Sequence, residues 1–337
     1  MKVLCLWHAN DDEIAYIKDR LPSGTNVVAP RGKYFSRYEC SYSDIADEAV
    51  DADAFIGFTV PDGILKIAEK LKLLCWLHTG CDDLDIALLK QKGVTVANNR
   101  GANAIAVAEH AIMFMFALAK KTVFKHQKFQ EGRTLFPVWA DEHRSALLEG
   151  QTVGIIGLGE IGRRVAKKAK GLDMHVIGVR KHKEKPVENV DELFGLQELH
   201  AALGKCDYVV LALPSTTETD QFFGKPELDA MKPSAFLINV ARGVLTQEQP
   251  LHEALTSGRL RGFAADVWWR YRARTAFPSG YGPRFDFSKL ANVIGSDDQA
   301  ADADGVLERQ LELGTNSLVE FAAGKSVTLA VDLDVGY

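Results

Sequence analysis

Residues 152–162 read Thr-Val-Gly-Ile-Ile-Gly-Leu-Gly-Glu-Ile-Gly, a short apolar run entering Gly157-x-Gly159-x-x-Gly162 and then a helical stretch from Arg163 to Gly171. Each glycine has a physical task. Gly157 permits a tight strand-to-helix turn, Gly159 lets a pyrophosphate approach the backbone, and Gly162 lets the helix lie close on its strand. The helix N-terminus offers free N–H groups to an anion. Val153, Ile155 and Ile156 supply the strand, while Ile161, Val165, Ala166 and Ala169 supply one buried helical face. A second strand, His175-Val176-Ile177-Gly178-Val179, closes the unit. The pattern is that of a dinucleotide-binding turn in a doubly wound, parallel α/β domain.

The residue that ends the second strand of such a unit selects between nicotinamide cofactors, and here it is Arg180. An acidic residue would accept hydrogen bonds from the adenosine ribose hydroxyls. Arg180 with Lys181, His182 and Lys183 instead forms a cationic cluster suited to a 2′-phosphate. A solvated basic loop is the other reading, and the lack of any carboxylate before Glu184 favours NADP(H) over NAD(H).

The chain has 337 residues, long enough for two domains, and its formal net charge of −5 gives no reason to expect nucleic acid or an anionic membrane as partner. Five cysteines, Cys5, Cys40, Cys75, Cys81 and Cys206, form no C-x-x-C pair and suit a reducing, cytoplasmic setting. The apolar start at Met1 to Trp7 turns polar by His8, too short for a signal peptide, and no apolar run reaches membrane-spanning length. The pairs Asp82-Asp83 and Asp297-Asp298 lack partners at ligand spacing, so no metal is expected.

Before the glycine turn the chain alternates strands (2–7, 54–58, 73–77, 94–97) with helices (11–21, 61–70). A helix apolar nearly all round comes next, at 103–121, a candidate for burial on several sides or for a subunit contact. Strands are expected again at 207–212, 235–239, 262–265 and 292–295, and an amphipathic helix at 303–323.

Downstream landmarks extend the pattern: Leu213-Pro214 before Thr216-Thr217-Glu218-Thr219, Met231-Lys232-Pro233, Ile238-Asn239-Val240-Ala241-Arg242-Gly243, and Gly262-Phe263-Ala264-Ala265-Asp266-Val267. Upstream stand Thr79-Gly80-Cys81-Asp82-Asp83, Gly93-Val94-Thr95-Val96-Ala97-Asn98, Asn103 and Val107-Ala108-Glu109-His110. Over nearly its whole length the chain resembles the D-2-hydroxyacid dehydrogenase family, which includes glyoxylate/hydroxypyruvate reductases and phosphoglycerate dehydrogenases. The resemblance implies two Rossmann-like open parallel-sheet domains. Residues 1–100 and 301–337 would form a flavodoxin-like substrate domain, and 101–300 an inserted NAD(P)-binding domain, with the site in the cleft between them and a homodimer built on the helix at 103–121.

It also implies roles. Gly157, Leu158, Gly159, Glu160, Ile161, Arg180, Lys181, Leu213, Pro214, Val240, Ala241 and Asp266 would meet the cofactor, Asp266 at the nicotinamide carboxamide. His78, Thr79 and Gly80 would meet a small anionic acid. Arg242 would be the catalytic cation, a two-pronged donor able to bridge carboxylate and carbonyl oxygens.

The sequence departs from the family at the proton donor, a histidine supported by a glutamate. Tyr271 falls at the glutamate's spacing from Asp266, and Asp298, or Asp297 with a one-residue slip, falls at the histidine's place. An unperturbed aspartate, with a pKa of about 3.9, holds almost no proton at neutral pH, so Asp298 would need desolvation or a neighbouring carboxylate. Tyr271, a phenol protonated at neutral pH, is a second candidate, and His78 a third. His110, in the long helix, reads as a packing or hydrogen-bonding residue. The Arg- and aromatic-rich stretch 270–287 reads as a lid or wall for an anion, or as a solvated loop anchored by its aromatics. Three functions remain open: an NADP(H)-dependent oxidoreductase with a rewired donor, a catalytically silent dinucleotide-binding redox sensor or regulator, and an oxidoreductase of another substrate class.

Overall fold

The computed structural model describes residues 1–32, 36–37, 39–132, 143–271 and 281–335, with Arg270, Tyr271 and Tyr281 described in their backbone alone. The chain divides into two compact units, residues 1–103 with 304–337, and residues 104–303.

In the first unit, β1 (Lys2–Cys5), β2 (Asn26–Val28), β3 (Ala54–Gly57), β4 (Leu73–Trp76) and β5 (Thr95–Asn98) form one parallel sheet in the order β2-β1-β3-β4-β5. This is the flavodoxin-like order. The central strands are near-continuous apolar runs because both faces are covered. Leu4, Phe55, Leu74 and Trp76 pack on one side, and Val3, Cys5, Ile56, Leu73 and Cys75 on the other. The helix Val306–Ala322 lies on β4 and β5, where Gly314 allows close approach: a Cβ there would sit 2.4 Å from Leu77 Cδ2.

Local chemistry sets the element ends. Asn10 caps the helix Asp11–Lys18 reciprocally with Glu13, through bonds of 2.9 and 3.0 Å. The helix expected over 61–70 is a single turn, Ile64–Ile67, because Gly63 at φ 84 precedes it and Ala68 closes back on the Ile64 carbonyl. Strand β2 and the helix Tyr42–Ala49, both unforeseen from sequence, complete the unit.

In the second unit, β6 (Thr152–Ile156), β7 (His175–Val179), β8 (Glu192–Phe194), β9 (Tyr208–Leu211), β10 (Phe236–Asn239), β11 (Gly262–Ala265) and β14 (Val293–Gly295) form a parallel sheet in the order β14-β11-β10-β9-β6-β7-β8. Chain direction across the sheet reverses between β6 and β9, the switch point of a doubly wound fold, where ligands bind beyond the carboxyl ends of the strands. A two-stranded antiparallel ribbon, β12 (Arg270–Tyr271) with β13 (Tyr281–Gly282), stands apart from it.

The helix Ala104–Lys120 packs against the helix Glu160–Lys170 and against β10, β11 and β14, burying Val107, Ala108, Ala111, Phe114 and Met115. Its far side leaves Ile105, Met113 and Phe116 exposed. At Lys121, whose φ is 52, the chain turns into a second helix, Thr122–Gln130. Among the described residues, no helix is long and apolar enough to cross a membrane.

Candidate active site

Ile156, Val179, Leu211, Asn239, Ala265 and Gly295 are register partners across the second sheet. They therefore end their strands in one row, and the residues just beyond them lie along one edge. Those residues are Gly157, Arg180, Ala212-Leu213, Val240 to Arg242, Asp266 and Ser296 to Asp298. Sheet geometry alone thus gathers residues from six separate stretches of sequence.

The glycine turn has the shape its sequence requires. Gly157 has φ 99, and a Cβ there would lie 2.5 Å from the Ala212 carbonyl oxygen and 2.9 Å from Leu213 Cβ, so the loop after β9 rests on the turn. A Cβ at Gly162 would lie 2.0 Å from the Gly157 carbonyl oxygen. At Gly159 a Cβ would meet nothing within 4 Å, and Gly159 begins the helix Glu160–Lys170 without a side-chain cap. Two glycines are needed for packing, and the middle one faces open space at a helix N-terminus, which fits a dinucleotide pyrophosphate.

Beyond β7, the Arg180 N–H donates to the Phe194 carbonyl at 3.2 Å and its guanidinium Nε to the His182 carbonyl. Lys181 Nζ pairs with Glu218 at 2.9 Å, and Lys183 with Glu198, both on the surface. The basic cluster thus has carboxylate partners from other loops.

After β10, Asn239 is fully buried and clamps the next loop. Its Oδ1 accepts the Ala241 N–H at 3.0 Å and its Nδ2 donates to the Arg242 carbonyl at 2.8 Å. One guanidinium N–H of Arg242 donates to the Ala241 carbonyl at 2.9 Å. The next residue is Gly243, where a Cβ would lie 2.3 Å from the Trp268 backbone. Sequence reading missed Asn239, although an asparagine at a strand end closing on its own backbone two residues on is a recognisable signal.

After β11, Asp266 is 2% exposed, and its carboxylate organises the loop beyond β14. It accepts from the Ser296 hydroxyl, from the Gln299 N–H at 2.9 Å and from the Ala300 N–H at 2.9 Å. His110 Nε2 lies 3.0 Å from Ser296 Oγ and 3.8 Å from Asp266 Oδ1, with its ring edge-on to Phe114. Asp298, at φ 56, donates its N–H to the Asp266 carbonyl and is exposed, as is Asp297. Of the two ways for a carboxyl to hold its proton at neutral pH, burial and a neighbouring carboxylate, burial is not present at Asp298.

Tyr271 lies on β12 opposite Tyr281, and its side chain lies outside the described residues, as do Arg272, Arg274 and Phe277. Trp268 and Trp269 flank this region as packed residues, their indole N–H groups donating to the Ser296 and Thr246 carbonyls at 2.9 and 2.7 Å. Arg284 Nε bonds the buried Glu248 at 2.5 Å.

In the first unit, His78 Nε2 lies 2.9 Å from the Phe58 carbonyl, and the ring packs on Trp76 at 4.7 Å. A carbonyl can only accept, so Nε2 carries the proton there and is committed to Phe58. Thr79 Oγ1 meets Asn103 Oδ1 at 3.3 Å. Burial pushes the Cys206 thiol up to about 12 and the Cys40 thiol up to about 12, and raises Cys5 and Cys75 further, so these four are not thiolates at neutral pH. Among the described residues no group of three metal-ligating side chains occurs.

A sequence profile of the D-isomer specific 2-hydroxyacid dehydrogenase NAD binding domain matches residues 112–284, the stretch that carries most of the row of strand ends. The chain belongs to the D-isomer specific 2-hydroxyacid dehydrogenase family. It is 32% identical over 275 residues to D-3-phosphoglycerate dehydrogenase of Archaeoglobus fulgidus, covering 80% of this chain and 49% of that one. The chain therefore spans about half the length of this relative. It is 27% identical to glyoxylate reductase of Korarchaeum cryptofilum over 93% of this chain and 87% of that one. Its fold is similar to that of an acyclic imino acid reductase solved in complex with NADPH and D-Arg, with TM-score 0.79, 22% identity, and coverage of 98% and 100%. The two parallel sheets are those of a 2-hydroxyacid dehydrogenase, and the Gly157 turn lies within the residues matched by the family's NAD binding domain.

Proposed function

We propose that the chain is an NADP(H)-dependent oxidoreductase that moves a hydride between the nicotinamide and C2 of a small anionic 2-oxo or 2-hydroxy acid. The observation that carries this reading is the single row of strand ends, with the open Gly159 turn, Arg180 and Arg242 all beyond it. Gly157, Gly159 and the first turn of the helix at Glu160 and Ile161 would hold the pyrophosphate, with Leu158, Leu213, Pro214, Val240 and Ala241 along the same edge. Arg180 would take the 2′-phosphate, with Lys181 beside it. The cofactor, when bound, supplies the hydride.

Arg242 would hold the acid by its carboxylate and carbonyl oxygens, drawing charge toward the oxygen that becomes an alkoxide. Thr79 and Gly80 would meet the acid through backbone N–H groups. The proton for the alkoxide falls to Tyr271 rather than Asp298, because a phenol stays protonated at neutral pH without burial whereas an exposed carboxyl does not. Tyr271→Phe should then lower kcat by about 10² or more while Asp298→Asn stays within about tenfold of wild type, in steady-state rates at neutral pH. The opposite order would move the donor to Asp298.

Oxidation of NADPH against NADH in the presence of glyoxylate, hydroxypyruvate, pyruvate and phosphorylated acids tests the reading. NADPH is expected to be preferred, and Arg180→Asp to reverse the preference by about 10- to 100-fold, the worth of a charge-assisted hydrogen bond. Equal use of both cofactors by wild type would remove the 2′-phosphate role, and no consumption with any acid would remove the activity.

A further inference from the structure

The loop His78-Thr79-Gly80 is built in an unusual way. Its three successive carbonyl oxygens each have a fixed donor: the His78 oxygen takes the Asn99 N–H at 2.9 Å, the Thr79 oxygen takes Asn98 Nδ2 at 2.7 Å, and the Gly80 oxygen takes the Trp76 indole Nε1–H at 2.8 Å. A trans peptide is planar, with its N–H directed opposite to its C=O. Fixing the His78, Thr79 and Gly80 carbonyls therefore fixes in turn the direction of the Thr79, Gly80 and Cys81 N–H groups. Among the described residues neither the Thr79 nor the Gly80 N–H meets an acceptor, and both residues are half-buried. Successive backbone N–H groups without an internal acceptor are what an anion-binding concavity is made from.

Of the two side-chain donors, Trp76 belongs to the apolar core, whereas Asn98 sits where packing alone would not keep a polar group. Asn98 is 2% exposed and Trp76 1% exposed, in adjacent strands β5 and β4, where they are register partners. Asn98 Oδ1 is buried without a partner among the described residues, so the amide is held for its donor at the cost of an unmet acceptor. Leucine would fill the place without that cost. We infer that Asn98 and Trp76 are positioning residues for the acid: by fixing the Thr79 and Gly80 carbonyls they hold the two peptides on either side of Gly80, and so aim the Gly80 N–H, beside that of Thr79, at the substrate carboxylate. The inference rests on the 2-oxo acid reading and extends it to residues that never touch substrate. A carboxylate held in this way is bound alike in ground and transition states, so the lock acts on KM and not on kcat.

The test uses the full chain with oxalate as probe, in wild type, Asn98→Leu and Trp76→Phe. Each variant should raise the oxalate Kd by about tenfold, raise KM for the reduced acid similarly with kcat within about twofold, and leave the NADPH Kd within about twofold. In the wild-type chain the Thr79 and Gly80 amide resonances should move as oxalate is added, a readout that does not depend on either variant folding. Oxalate binding within about twofold of wild type in both folded variants, or binding that leaves those two amides unmoved, overturns the inference while leaving the proposed reaction standing. A wild-type chain that binds no oxalate and turns over no acid overturns both.

Discussion

Replacing Arg242 with lysine is expected to lower kcat/KM for the acid by about 10²- to 10³-fold while leaving the NADPH Kd within about twofold of wild type. Lysine keeps the charge, so a role that needs charge alone would survive. What it loses is the planar fork that can meet a carboxylate and an adjacent carbonyl oxygen at once. The loop holds that fork firmly, because Asn239 fixes the backbone on both sides and one guanidinium N–H is committed to the Ala241 carbonyl. A flexible ammonium has no equivalent anchor. Steady-state kinetics with the best acid provide the check, and a loss below about tenfold would show that Arg242 is not the group that polarises the carbonyl.

Gly162→Val should abolish measurable NADPH binding and lower the melting temperature of the cofactor unit. The first side-chain carbon would be placed 2.0 Å from the Gly157 carbonyl oxygen and 3.2 Å from Ile155 Cγ2. Neither neighbour can give way cheaply. Gly157 donates its N–H to the Val179 carbonyl at 2.9 Å and sits at φ 99, and Ile155 is fully buried in β6. Overpacking a core typically costs about 1–3 kcal/mol, and contact against backbone lies at or beyond the upper end. The helix Glu160–Lys170 would have to lift from its strand, moving the very N–H groups that would meet a pyrophosphate. Calorimetric melting and a cofactor titration read the two effects separately. A variant that melts and binds NADPH like wild type would show that the turn tolerates the displacement and that its close packing is not what shapes the site.

The fold class and the family were legible because their signals are local or repeat at short range. Strands β6, β9, β10 and β11 are apolar runs, and the glycine spacing depends on sterics within one turn. Less was legible where the deciding contact is distant in sequence. Strand β2 is three residues with mixed burial, held by pairing with β1, so no periodicity marks it. Lys181 read as part of a cationic cluster, and only the folded chain brings Glu218 to it. Asp266 read as a strand-end residue facing the cofactor, and only the folded chain shows that its carboxylate accepts from Ser296, Gln299 and Ala300, which lie beyond another strand. The His110–Ser296 contact joins a helix to the end of β14 and carries no sequence signal at all.

Isotope tracing reads hydride transfer to C2 of the acid. The chain is incubated with NADPH deuterated on the transferred face of the nicotinamide and with glyoxylate, hydroxypyruvate or pyruvate, and the product is examined by NMR and mass spectrometry. The expected product is a 2-hydroxy acid with deuterium at C2, of D configuration where C2 is stereogenic by substitution, formed faster than with NADH. Bound NADPH that is never consumed, or a hydroxy acid without deuterium at C2, would contradict it.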